Sequence, residues 1–197
     1  MKQKPMGLRQ KIRQLRKDIP KAYAVQASYR LSEQVAALPG YGASQSISAF
    51  LPFDGEVSPL PLMDRAIQDG KRVWVPVMQG KASPLRFAPW DRGSCMKTNR
   101  FGIDEPDVPE SGCIAASELD LALLPLVGFD EDCNRLGAGG GYYDRSFAFS
   151  VGVPLGQRPF LVGLGYELQR VPQLYPERWD VPLDTVVTEL QIYCREG

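Results

Sequence analysis

At 197 residues with 44% hydrophobic side chains, the chain can bury one sizeable core, and its length predicts a single domain over residues 1–197. Lys and Arg total 23 against 23 Asp and Glu, and a formal charge of zero argues against a surface built to neutralise a nucleic-acid backbone. The chain has no histidine, which excludes Ser-His-Asp, Cys-His and H-E-x-x-H chemistry and leaves carboxylates, cations and backbone amides.

The charge is unevenly spread. Seven bases (Lys2, Lys4, Arg9, Lys11, Arg13, Arg16, Lys17) and no acid occupy the first 17 residues, leaving 16 bases and 23 acids after them. Leu8, Ile12, Leu15 and Ile19 recur here at helical spacing, which predicts a helix with that stripe inward and the bases elsewhere. An acid-free amphipathic start also fits a mitochondrial transit peptide. The segment is poor in serine, however, and runs into a second helical pattern, which favours a structural helix facing an anion. That second pattern carries Ala24, Ala27, Leu31, Val35 and Leu38 on one face and stops at "LPGYG".

"SISAFLPFDGE" predicts a buried strand over Ser46 to Leu51 and a loop ending at Glu56. "SPLPLMDRAIQDGKR" then predicts a helix, "RVWVPVM" and "LRFAPW" two strands, and Trp90 to Ala116 a long irregular excursion. The apolar run "LDLALLPLVGFD" reads as a central strand covered on both faces. After the polar turn "DEDCN" come a glycine cluster, a helix in "YYDRSFAF", a strand in "PFLVGLGYE" and two short strands in "DTVVTELQIYC". This alternation implies an α/β fold of three layers, α/β/α, whose mixed, largely parallel sheet has helices on both faces. Proline and glycine interrupt the most apolar run, so no membrane span is expected. Cys95, Cys113, Cys133 and Cys194 form no C-x-x-C pair, the pattern of reduced thiols in a cytoplasmic protein.

"NRLGAGGGYYDR", Asn134 to Arg145, concentrates the backbone freedom. At the carboxyl end of a strand, glycines can turn peptide N–H groups toward an anion with no Cβ in the way, and a helix starting near Gly141 or Tyr142 would add its free amides. Arg135 would supply a forked cation for phosphate oxygens. Tyr142 stands where G-x-G-x-x-G needs glycine, and no G-x-x-x-x-G-K-[ST] occurs, so this is neither a standard dinucleotide loop nor a P-loop. Judged alone, the cluster fits a flexible loop or tight turn equally well; two aromatics and an acid between arginines favour a site.

With "LLPLVGFDEDCNRLGAGGGYYDR", "ISAFLPFDGE", "NRFGIDEP" and "WDVPLDTVVTE" in this order, the chain resembles the 5-formyltetrahydrofolate cyclo-ligases over nearly its whole length. The resemblance implies closure of 5-formyltetrahydrofolate to 5,10-methenyltetrahydrofolate with ATP and Mg²⁺, giving ADP and phosphate. The formyl oxygen is phosphorylated, N10 attacks and phosphate leaves, so the partners are small molecules and neither nucleic acid nor a membrane. A cytoplasmic monomer is expected.

Carried over by position, the resemblance assigns ATP contacts to Arg135, Leu136, Gly137, Ala138, Gly139, Gly140, Gly141, Tyr142 and Tyr143. Ala138, Gly139, Gly140, Gly141 and Tyr142 also border the folate, and Leu51 at the end of the first strand and Glu56 at the end of the loop after it match folate-contacting positions. Asp144 and Asp184 fall at magnesium-associated positions, and Arg135, Tyr143 and Asp144 carry the catalytic assignment. Arg9 matches a phosphate-facing arginine of the first helix. The matching lysine position holds Pro5, with Lys4 beside it as the candidate cation. Trp179 stands where bacterial relatives commonly have histidine, and Ala138 where many carry a bulkier or cationic residue. These two departures leave room for an enzyme using the same loop on another acceptor. A binding protein without turnover would sit poorly with an intact Arg135, Asp144 and Asp184.

Overall fold

A computed structural model describes residues 5–80, 83–100 and 102–195. Three helices precede the first strand: α1 (Pro5–Lys17), α2 (Lys21–Ala36) and the short α3 (Pro39–Ala43). Pro20 at the N-cap of α2 and Pro39 in the first turn of α3 stand where the missing proline N–H costs no helical bond. Next come β1 (Ser46–Ser48), α4 (Leu60–Gln68), β2 (Arg72–Val77) and β3 (Arg86–Pro89), then the small strands β4 (Met96–Thr98) and β5 (Asp104–Pro106). The rest is β6 (Leu121–Pro125), β7 (Gly128–Phe129), β8 (Arg135–Leu136), α5 (Tyr142–Phe147), β9 (Phe160–Leu164), β10 (Thr185–Val187) and β11 (Ile192–Cys194).

Seven strands form the main sheet in the order β11-β10-β9-β6-β1-β2-β3. The inner pairings are parallel, and antiparallel β3 and β11 close the two edges, giving the expected mixed sheet. Alternation along β6 shows how two faces are buried at once. Leu121 and Leu123 join a core with Ala27, Leu31 and Val35 of α2 and Leu62, Met63 and Ala66 of α4. Ala122 and Leu124 face the opposite way, into a core closed by Phe147 of α5 with Phe87, Val181 and Leu183. This second face is covered by one short helix and by irregular chain, so the two outer layers are unequal.

Four expectations need correction. The strand at 46 ends at Ser48. The excursion after Trp90 holds an antiparallel hairpin, β4 with β5, whose residues do not alternate in hydrophobicity. The apolar run ending in Gly128 and Phe129 is two elements, because the chain leaves the sheet after Pro125 and forms a separate hairpin of β7 and β8. In α1, Ile12 is buried as expected, but Leu15 is 45% exposed and Arg16 only 2%. No helix among the described residues is long and apolar enough to cross a membrane.

Candidate functional site

The β7–β8 hairpin sets the glycine loop just beyond the carboxyl end of β6. Val127 N–H donates to the Leu136 carbonyl at 2.8 Å, which returns the chain to the strand end, and Gly137 begins the loop there. Gly139 and Gly141 have φ of +102° and +64°, the region that glycine enters without steric cost. A Cβ on Gly141 would also lie 2.7 Å from Arg145 Nη1. Gly141 is the N-cap of α5, so the loop passes directly into the helix carrying Tyr142, Tyr143 and Asp144. Ala138, Gly139 and Gly140 are exposed, and their N–H groups make no hydrogen bond to another described residue.

Charged side chains gather around these amides. Arg135, its side chain only 5% exposed, donates from Nη2 to the Asp144 carboxylate. Its buried Nε–H finds no hydrogen-bond partner among the described residues, and its guanidinium lies 5.8 Å from the Tyr143 ring centre. Asp144 also accepts the Val181 N–H at 3.3 Å, which ties α5 to the segment before β10. Arg9 of α1 donates from Nε to the Gly137 carbonyl at 2.9 Å. Burial raises the Tyr143 hydroxyl above its ordinary range, and the nearby Glu56 charge raises it further against the opposing effect of Arg135. From the β4–β5 hairpin, Arg100 reaches the Tyr142 hydroxyl at 3.2 Å.

The turn after β1 supplies the other side. Leu51 packs, partly buried, against the core under α2 and α4. The chain then passes through positive φ at Asp54 (50°) and Gly55 (76°) before Glu56. Lys17, Arg13 and Arg16 hold the Asp54 carboxylate at 2.8, 3.3 and 3.6 Å. Burial alone would raise that carboxyl, but the three cations outweigh it and keep the group below its usual range. Glu56 accepts the Phe53 N–H at 3.1 Å and faces Arg16 at 3.8 Å; burial dominates and pushes its carboxyl above the ordinary glutamate value. Arg16 was assigned no role from sequence, and no local signal marks it, since its partners lie 38 and more residues away.

The geometry thus brings together Arg9, Arg135, Leu136, the 137–141 loop, Tyr142, Tyr143, Asp144 and, across Tyr143, Glu56. Asp184 stands apart. Its oxygens accept Arg158 at 2.6 and 2.7 Å and the Leu161 N–H at 2.8 Å, and no hydrogen bond or ion pair among the described residues joins it to Asp144. Lys4 lies outside the described residues. Clefts of about 370, 450 and 690 Å³ lie elsewhere on the molecule and are lined by none of the assigned residues. Trp179, 61% exposed, lies on the segment between β9 and β10.

The model of the 5-formyltetrahydrofolate cyclo-ligase family matches residues 1–189. Two relatives bearing the name 5-formyltetrahydrofolate cyclo-ligase align over most of the chain. The one from Haemophilus influenzae is 34% identical over 186 residues, covering 92% of this chain and 95% of the relative. The one from Escherichia coli K12 is 33% identical over 183 residues, covering 92% and 98%. Among solved structures, the 5,10-methenyltetrahydrofolate synthetase of Aquifex aeolicus superposes with a TM-score of 0.81 at 27% identity, over 98% of this chain and 94% of that one.

Proposed function

The chain belongs to the 5-formyltetrahydrofolate cyclo-ligase family, and we propose that it closes 5-formyltetrahydrofolate to 5,10-methenyltetrahydrofolate using ATP and Mg²⁺, releasing ADP and phosphate. The observation carrying this reading is the run of exposed peptide N–H groups at Ala138, Gly139 and Gly140, without a hydrogen bond among the described residues and flanked by Arg135 and Asp144. Such amides hold phosphate oxygens without histidine, and phosphoryl transfer rests on positioning and charge neutralisation.

In this mechanism Arg135 and Arg9, with the loop amides, hold the triphosphate, and Tyr142 and Tyr143 close the site over it. Glu56 accepts N–H groups of the pterin, with Leu51 beneath the ring. The formyl oxygen takes the γ-phosphoryl group from ATP, which leaves as ADP. The N10 lone pair attacks the activated carbon, the carbon–oxygen bond breaks with loss of phosphate, and N10 gives up its proton. The unphosphorylated oxygen would be a poor leaving group, which is why ATP is consumed.

The donor set is compatible with magnesium at one of the two expected carboxylates. Asp144 beside the loop would hold the ion together with phosphate oxygens and waters, the usual arrangement for this cation, and its charge would neutralise the transferring group. Asp184 does not fit that role, because Arg158 already occupies both of its oxygens. We take the working form to be a cytoplasmic monomer acting on small molecules alone. The test is a coupled assay: methenyltetrahydrofolate absorbance and ADP should rise together, one for one, when ATP, Mg²⁺ and 5-formyltetrahydrofolate are all supplied. Binding of folate without turnover, or ATP consumption driven by another acceptor, would overturn the reading.

A further inference from the structure

Arg16 is an arginine with a side chain only 1% exposed, on the helix face where the sequence pattern places leucine. Its Nε and Nη2 both donate to the Asp54 carbonyl, at 3.1 and 2.7 Å, and Nη1 donates to the Leu126 carbonyl at 3.3 Å while facing Glu56 at 3.8 Å. Burying a guanidinium is expensive, and desolvation indeed lowers its proton affinity; the surroundings must offset that cost with well-placed acceptors. All of those acceptors but the Leu126 carbonyl belong to one turn, and the turn is strained, since Asp54 is a non-glycine residue at φ +50°.

We infer that Arg16 is a positioning residue that fixes the Glu56 carboxylate and the turn carrying it, and so sets affinity for the folate and not for ATP. The inference rests on the proposed function, in which Glu56 meets the pterin. Three observations separate the two ligands. Among the described residues, no hydrogen bond or ion pair joins Arg16 to the glycine loop assigned to ATP. The Leu126 carbonyl it shares with the strand end also accepts Gln169 Nε2 at 2.8 Å, so that end stays held without it. The remaining titratable groups facing Glu56 are Asp54, Arg13 and the uncharged Tyr143 hydroxyl, of which only Arg13 is a cation, and its side chain is 41% exposed. Arg16 is therefore the one buried positive charge among the described groups facing that carboxylate.

Wild type, Arg16→Gln and Arg16→Lys are compared in the coupled assay, each with and without Glu56→Gln. Loss of a charge-assisted hydrogen-bond set predicts a folate KM about ten-fold higher in Arg16→Gln, with kcat and the ATP KM within about two-fold. The defect should deepen as pH falls, because a Glu56 carboxyl without Arg16 protonates at higher pH. Arg16→Lys should recover part of the loss. Over Glu56→Gln, Arg16→Gln should add little. The proposal is overturned if Arg16→Gln lowers kcat and raises both KM values together, or if its effect is equally large over Glu56→Gln. Should Arg16→Gln not fold, Arg16→Lys decides, and an unchanged folate KM overturns the proposal. If wild type closes no folate, the proposed function fails instead. A carbon-13 titration of the Glu56 carboxyl then decides on Arg16, an upward displacement in the glutamine or lysine variant supporting it and none overturning it.

Discussion

Arg135 and Asp144, nine residues apart, form an ion pair on either side of the exposed amides of the glycine loop. Each charge compensates the other in the free protein. A triphosphate would draw on the arginine and a divalent ion on the aspartate, so the same pair that stabilises the free site is divided when both arrive. Asp144→Asn should therefore lower kcat by about 100-fold or more, with the folate dissociation constant within about three-fold of wild type. Arg135→Ala should raise the ATP KM by about ten-fold or more, because a forked guanidinium is lost from the phosphates. Steady-state kinetics with fluorescence titration of folate separates the two, and an unchanged kcat in Asp144→Asn would remove the metal assignment.

Asp184 offers the opposite expectation. Its carboxylate joins Arg158 to the Leu161 amide at the amino ends of β9 and β10, with side chains 10% and 14% exposed. Breaking a nearly buried pair from one side leaves the other charge stranded, and Asp184→Asn should cost about 2–4 kcal/mol of stability, read from the urea midpoint. The concentration of Mg²⁺ giving half-maximal activity should stay as in wild type. A large rise in that concentration with an unshifted midpoint would place Asp184 at the metal after all.

The contrast between these two aspartates shows what the sequence made legible. Asp144 lies in a run whose glycines, aromatics and charges are contiguous, so local spacing carries the site. The ligands of Asp184 come from the chain 26 and 23 residues earlier, and those of Arg16 from 38 and 110 residues later, where no periodicity links them. The strands β2, β3, β6 and β9 were readable because buried apolar runs require them. The β4–β5 hairpin was not, because its residues, exposed along β4 and charged at Asp104 and Glu105 of β5, show no hydrophobic alternation to read. The break between β6 and β7 was hidden because Leu126 and Val127 remain buried after the chain has left the sheet.

Helix α1 makes that point measurable. Ile12 and Leu15 look equivalent by spacing, yet Ile12 is 3% exposed against Val127 and Val171, and Leu15 is 45% exposed. Ile12 also packs beneath the hairpin leading to the glycine loop, where a Cβ on Gly128 would lie 3.0 Å from its Cδ1. Ile12→Ala should cost about 2–4 kcal/mol, and Leu15→Ala within about 0.5 kcal/mol of zero. Equal shifts in the urea midpoint would mean that the helix is rotated from this arrangement.

The four cysteines divide by burial into two pairs of different reactivity. Cys95 and Cys194 are exposed, whereas Cys113 and Cys133 are buried. Burial raises the Cys113 thiol and pushes that of Cys133 up to about 11, its Sγ–H directed at the Tyr193 carbonyl at 3.4 Å. At pH 8 about one Cys133 in a thousand is then a thiolate, and the thiolate is the reacting species. Titration of the folded protein with a disulfide reagent at pH 8 should release about two equivalents promptly and about four in denaturant, since unfolding returns both buried thiols to an ordinary pKa. A third thiol reacting promptly in the folded state and mapped by peptide mass to Cys133 would show that the β7–β8 turn opens. Arg135 follows Cys133 by two residues, so the glycine loop would then be less firmly anchored than the hairpin geometry requires.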